Sequence, residues 1–137
     1  MTGLSFEGKN TGVIFGFLKE LLKFQTQFAT KRTIFALDSK DSLRKKMFSS
    51  YKKSREEKYE RMSQDEKDAY DNMRDQVRQL RLVILPRVGF RNIFRENGFE
   101  ADDIIASCVS SITKSGEKAI IVSADKDLYQ LLQGDQV

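Results

Sequence analysis

Apolar residues recur at Val13, Phe17, Leu18, Leu21, Leu22 and Phe28, a three-to-four spacing that lines one side of a helix. Residues 11–29 therefore predict a helix, with Thr11 as its N-cap. The pattern then changes period. Thr33-Ile34-Phe35-Ala36-Leu37 is a short run between Arg32 and Asp38, which fits a strand covered on both faces in a parallel sheet. Residues 39–61 hold no Pro or Gly and few apolar side chains, and predict a helical segment weakly attached to the core. Ser63 and Glu66 have capping-box spacing, so a helix should run from there to Leu85, ended by Pro86 and Gly89. Residues 90–94 predict a second short strand. Residues 100–114 predict a helix with Ile104, Ile105, Cys108, Val109 and Ile112 on its apolar side. Residues 118–123, KAIIVS, read as the clearest strand of all and deliver Asp125. A last helix should start near Lys126 and run out through Leu131 and Leu132.

Helices alternating with buried strands predict an α/β fold, with a mostly parallel sheet flanked by helices. At 137 residues, with no repeat, low-complexity stretch or linker, residues 1–137 are expected to form a single domain. No apolar run reaches the length of a membrane span and no signal-peptide layout is present, so no membrane partner is expected. The lone Cys108 has no internal disulfide partner, which makes a reducing cytoplasm the expected compartment.

Composition narrows the chemistry. The chain has no histidine, which excludes Ser-His-Asp and Cys-His machinery and imidazole as a general base. With one cysteine besides, a zinc site of the usual kind is excluded too. Carboxylates, Lys and Arg remain. Oxygen donors select hard cations, so a metal here should be Mg²⁺ or Mn²⁺. Net charge is +4, and it is unevenly spread: residues 39–61 carry nine basic residues against four acidic ones.

Asp38 and Asp125 each follow an apolar strand-like run, and ligand crevices of parallel sheets lie beyond the carboxyl ends of the strands. Glu100, Asp102 and Asp103 would reach the same rim from a helix start, and Asp127 follows Asp125 by two positions. Six acids converging without histidine suit a two-metal phosphodiesterase site, with ions roughly 4 Å apart. Plainer readings stand beside this one. Acids in a helix's first turn stabilise it through the dipole by about 0.3–1 kcal/mol. Asp125 could simply cap the last helix, and Asp38 could be a loop residue. In the basic segment, Glu56, Glu57 and Glu60 alternate with cations as on a solvated, ion-paired face. Arg44-Lys45-Lys46 and Lys52-Lys53 are runs of cations interleaved with Phe48 and Tyr51. Cations with an aromatic that stacks on a base suit single-stranded nucleic acid.

GFEADDIIA, residues 98–106, followed by AIIVSADKDLYQLL, residues 119–132, resembles the 5′→3′ exonuclease and flap endonuclease family. The E-A-D-D helix start and the apolar strand before D-K-D-L carry the likeness, with Ala124 where the family pattern has Gly. Tyr51-Lys52-Lys53-Ser54-Arg55 is similar to the Y-K-x-N-R of that family's helical arch, with Ser54 in place of Asn. Thr11-Gly12 through Gly16-Phe17-Leu18 resembles its T-G-x-x-x-G-F-L helix. The resemblance implies a PIN-like, resolvase-like catalytic domain with a basic arch in residues 39–61. It implies two Mg²⁺ or Mn²⁺ ions, the first held by Asp38, Glu100 and Asp102, the second by Asp125 and Asp127, with Asp103 close to both. It implies that Lys52 and Arg55 act on the scissile phosphate, while Arg44, Lys45, Lys46, Tyr51 and Lys53 join them in gripping DNA with a 5′ end or flap, single-stranded or branched.

The family pattern also has a first strand ending in Asp, upstream of the first helix, and a later Asp pair with a helix-hairpin-helix module. Neither is found in these residues, so an isolated chain is expected to be impaired, and a polypeptide supplying the missing strand or module is an expected partner. Two other readings remain. One is an inactive or split-subunit nucleic-acid-binding remnant. The other is a receiver-like phospho-acceptor domain, which gives no reason for the basic segment.

Overall fold

Two separate compact units emerge from the chain in a computed structural model that describes residues 4–6, 8–39 and 59–137. The first comprises residues 1–34 and 50–92, the second residues 35–49 and 93–137.

The first unit opens with a small antiparallel hairpin, β1 (Ser5–Phe6) against β2 (Lys9–Asn10), which the polar N-terminus did not suggest. Gly8, at φ +73°, supplies the left-handed backbone of its turn. Helix α1 (Gly12–Gln27) follows where the periodicity places it, but only Leu21 of its stripe is buried. Leu22 is 64% exposed. The expected Thr11 cap is not made, because the Thr11 hydroxyl donates to Leu4 O at 3.2 Å instead. Asn10 Oδ1 accepts from Gly12 N–H at 3.1 Å, and Gln76 Oε1 accepts from Val13 N–H and Ile14 N–H at 2.9 and 3.2 Å. A helix start leaves its first N–H groups without intrahelical partners. A side chain from another helix supplies them here.

Helix α2 (Gln64–Gln79) begins with the capping box its spacing predicts. Ser63 Oγ accepts from Glu66 N–H at 3.3 Å, and Ser63 N–H donates to Glu66 Oε2 at 2.8 Å. That donation holds the Glu66 carboxyl below the usual carboxylate range. Ahead of the helix, Tyr59 donates its hydroxyl to Asp71 Oδ2 at 3.1 Å, which raises the phenol's pKa, and its ring tilts against Tyr70.

The end of α2 departs from expectation. Pro86 does not stop the helix. The chain widens into a π-helical stretch at Leu80–Ile84, where Leu85 N–H donates to Leu80 O, and continues through an α-turn at Leu85–Arg87 that contains Pro86. Proline lacks an N–H, and its ring collides with the carbonyl four residues back; a wider turn just upstream accommodates both. Gly89, at φ +101°, then terminates the helix. Gly89 N–H donates to Pro86 O and Phe90 N–H to Leu85 O, the paired bonds of a Schellman cap. Leu80 and Leu85 are the best-buried apolar side chains here, at 4% and 3% exposure.

The second unit carries the parallel pairing. Strand β3 (Phe35–Ala36) pairs with β4 (Ile93–Phe94) in the register Phe35 opposite Ile93 and Ala36 opposite Phe94. Helix α3 (Ala101–Lys114) packs on β3 and buries Ile104 and Val109. A helix does begin at Lys126, but Lys126–Leu131 is 3₁₀ rather than α, anchored by buried Leu128.

The α/β class stands. The breadth of the expected sheet does not, because residues 118–123 form no ladder among the described residues. Apolar composition identifies a segment suited to a strand, but a strand exists only with a partner edge. Here Ala119 N–H donates to Gln136 O, while Ile120 and Val122 remain 56% and 55% exposed. Among the described residues no helix is long and apolar enough to cross a membrane.

Candidate active site

The end of β3 is pinned residue by residue. Leu37 N–H donates to Phe94 O at 3.0 Å, extending the parallel pairing by one step. Arg95 Nε donates to Asp38 O at 2.9 Å. Ser39 N–H donates to Phe99 O at 3.2 Å, and Gly98 N–H donates to Ser39 Oγ at 3.3 Å. The Asp38 side chain then reaches across: its Oδ1 accepts from Ala101 N–H at 2.9 Å, a contact between residues 63 positions apart. Asp38 is therefore not a mere loop residue. It is fastened to the first residue of the helix that begins Ala101-Asp102-Asp103.

At that helix start the plainer roles are also filled. Glu100 occupies the N-cap position, and Glu100 N–H donates to Asp103 Oδ2 at 3.0 Å within a reciprocal capping box. Asp102 and Asp103 lie in the first turn, where the helix dipole favours negative charge. Asp125 likewise caps the 3₁₀ helix, its Oδ1 accepting from Asp127 N–H at 2.9 Å. These local duties place the acids.

Asp102, Asp103, Ala106, Lys126, Asp127 and Leu128 line one open groove of about 640 Å³. The structure thus brings three of the six sequence-selected acids to one groove and ties a fourth, Asp38, to the head of the same helix. Asp125 stands two residues from groove-lining Asp127. The donor set is oxygen alone, which fits a hard divalent cation. Among the described residues, however, no three carboxylates are gathered closely enough to hold an ion as they stand. Asp38, Asp125 and Asp127 are exposed, and Glu100, Asp102 and Asp103 are half-buried.

Lys52 and Arg55, with Arg44, Lys45, Lys46, Tyr51 and Lys53, lie outside the described residues. Three other residues at the site were not singled out by the sequence. Ser39, Arg95 and Lys126 look ordinary until the fold sets Ser39 and Arg95 against the β3 end and Lys126 on the groove. Only Lys126, lodged inside the D-K-D-L run, offered a local signal.

The site thus consists of an aspartate at the end of a parallel strand, fastened to an acid-rich helix start in an α/β unit. The chain belongs to the family of the 5′-3′ exonuclease N-terminal, resolvase-like domain, whose model matches residues 3–137. It is 33% identical over 127 residues to a 5′-3′ exonuclease of Buchnera aphidicola subsp. Acyrthosiphon pisum, covering 91% of this chain and 40% of that protein. It is 30% identical over 128 residues to the thermostable DNA polymerase I of Thermus thermophilus, covering 91% of this chain and 14% of that protein. The chain thus spans well under half the length of these relatives. Among solved structures, a T5 5′-exonuclease with bound divalent metal ions (zinc) superposes with a TM-score of 0.77 at 23% identity, over 94% of this chain and 46% of that one. That likeness shows a common fold.

Proposed function

We propose that this chain is the catalytic portion of a divalent-metal-dependent nuclease that hydrolyses DNA phosphodiester bonds from a 5′ end or at a 5′ flap. The observation that carries the reading is the bond from Ala101 N–H to Asp38 Oδ1, which joins a strand-end acid to the helix bearing Asp102 and Asp103. Family membership and the metal ions of the T5 neighbour support it. Asp38, Glu100 and Asp102 would hold one Mg²⁺ or Mn²⁺, Asp125 and Asp127 a second, with Asp103 beside both. Such cations lower the pKa of coordinated water and neutralise charge on the phosphate.

The chain's own groups do the rest. Lys52 and Arg55 orient the scissile phosphate and balance the charge that develops on it. Arg44, Lys45, Lys46, Tyr51 and Lys53 grip the single strand through phosphates and by stacking. With no histidine in the chain, proton acceptance near the phosphate falls to carboxylates.

One observation favours a dependence on further polypeptide. Residues 118–123 expose Ile120 and Val122 and form no ladder, as would suit a segment awaiting a neighbouring strand. On this reading the isolated chain cleaves 5′-flapped DNA slowly, and a polypeptide supplying the strand speeds it. The test is a flap-cleavage time course in Mg²⁺ with and without that fragment, with Asp102→Asn as control. Asp102→Asn should lower the rate at least about 100-fold, ~2.7 kcal/mol of transition-state stabilisation. Cleavage that survives Asp102→Asn contradicts the assignment, and fast cleavage by the chain alone contradicts the dependence.

A further inference from the structure

We infer that Ser39 is a positioning residue for Asp38: its buried hydroxyl fixes the strand end so that the Asp38 carboxylate stays against the start of α3. The inference deepens the metal-dependent reading and rests on it for its consequence in cation binding.

Asp38 is exposed, whereas Ser39 beside it is only 2% exposed. A hydroxyl taken out of water requires hydrogen-bond partners. Ser39 Oγ accepts from Gly98 N–H at 3.3 Å, and Ser39 N–H donates to Phe99 O at 3.2 Å. One residue therefore grips two consecutive positions of the loop that leads into α3. Gly98 sits at φ +90°, a backbone conformation that side chains oppose, so the loop geometry that offers its N–H to Ser39 depends on glycine.

The grip matters because of what lies on either side. Leu37 N–H is held by Phe94 O and Asp38 O by Arg95 Nε, so the backbone is fastened at three successive residues, 37, 38 and 39. Side-chain torsions are then the main freedom left to Asp38, and its Oδ1 is taken by Ala101 N–H. Without the hydroxyl, Gly98 N–H would face a methyl group inside the protein. The backbone downstream of Asp38 would lose a tether to the loop, and Asp38 would sample orientations away from Ala101. Partners that orient a metal ligand without touching the metal commonly govern affinity by 10–100-fold.

The experiment compares wild type, Ser39→Ala and Asp38→Asn by amide exchange in the metal-free chain and by Mn²⁺ titration followed by electron paramagnetic resonance. Ser39→Ala should speed exchange at Gly98 and Ala101 while leaving Ile104 and Val109 amides unchanged, and should weaken Mn²⁺ binding about 10-fold. Should the alanine variant fail to fold, Ser39→Cys, near in size and a weak acceptor, should show the same pattern in milder form. Unchanged Ala101 exchange overturns the inference, as does a uniform rise along α3, which would mark a merely structural role. If Asp38→Asn weakens Mn²⁺ binding and Ser39→Ala does not, the inference fails while the metal reading stands. If Asp38→Asn binds Mn²⁺ like wild type, the metal reading fails, and Ala101 exchange alone decides the positioning.

Discussion

Both units cap helix starts with polar side chains, but only the second also gathers acids at one groove. In the first, the polar network serves the helices themselves. Gln76, only 3% exposed, caps α1 with its Oε1 and donates from Nε2 to Asn72 Oδ1 at 2.6 Å. Surface charges there pair along the helices, as in Lys23 with Glu20 and Arg78 with Asp75, both at 3.2 Å. In the second unit, Asp38, Asp103 and Asp125 are each held by a backbone N–H. On the proposed reading the first unit is scaffold, and the second, where Asp102, Asp103 and Asp127 line one groove, carries the cation site.

That contrast breaks if disturbing the scaffold disturbs the site. Gln76→Leu removes the acceptor of two helix-start N–H groups from a buried position, at an expected cost of about 2–3 kcal/mol in urea unfolding. Under native conditions its Mn²⁺ affinity should match wild type. A parallel loss of affinity would show that the units do not divide the labour as described.

A second test separates gripping from chemistry. Replacing Lys52, Lys53 and Arg55 together with Ala should weaken binding to single-stranded DNA and make the slope of log affinity against log salt shallower by about 2, from three lost phosphate contacts. Mn²⁺ affinity should stay constant. An unchanged slope would assign these residues to a solvated face.

The smallest effect is one of pH. Glu66 has its pKa lowered on folding by the Ser63 backbone N–H. A carboxyl lowered on folding adds stability above its unfolded pKa and loses it as the pH falls through the folded one. Acidification through and below the ordinary carboxylate range should therefore erode wild-type stability slightly more than that of Glu66→Gln, read as melting temperature against pH. Identical profiles would remove the capping box from the scaffold's account.

What the sequence disclosed divides along the same lines. The Ser63–Glu66 box is legible because its partners are three residues apart, and the start of α3 because its acids and apolar stripe are local. The Gln76 cap is not legible, since it joins residues more than 60 positions apart through an ordinary-looking glutamine. The π-helical stretch escaped because proline's usual consequence is termination. Residues 118–123 misled because apolar composition speaks to burial and is silent on a partner edge. At the site, residue types and strand-end placement pointed to the acids, but the bond from Ala101 to Asp38 and the burial of Ser39 are products of the fold.

The central claim is that the acids of the second unit bind a cation beyond their local duties, and Asp125→Asn tests it most directly. Asn keeps the oxygen that caps Asp127 N–H and removes only the charge, so the 3₁₀ helix should persist. A Mn²⁺ titration of wild type and Asp125→Asn, followed by electron paramagnetic resonance, should show affinity falling at least about 10-fold with melting temperature unchanged. Equal affinities in the two proteins would reduce Asp125 to a cap and contradict the metal-site account.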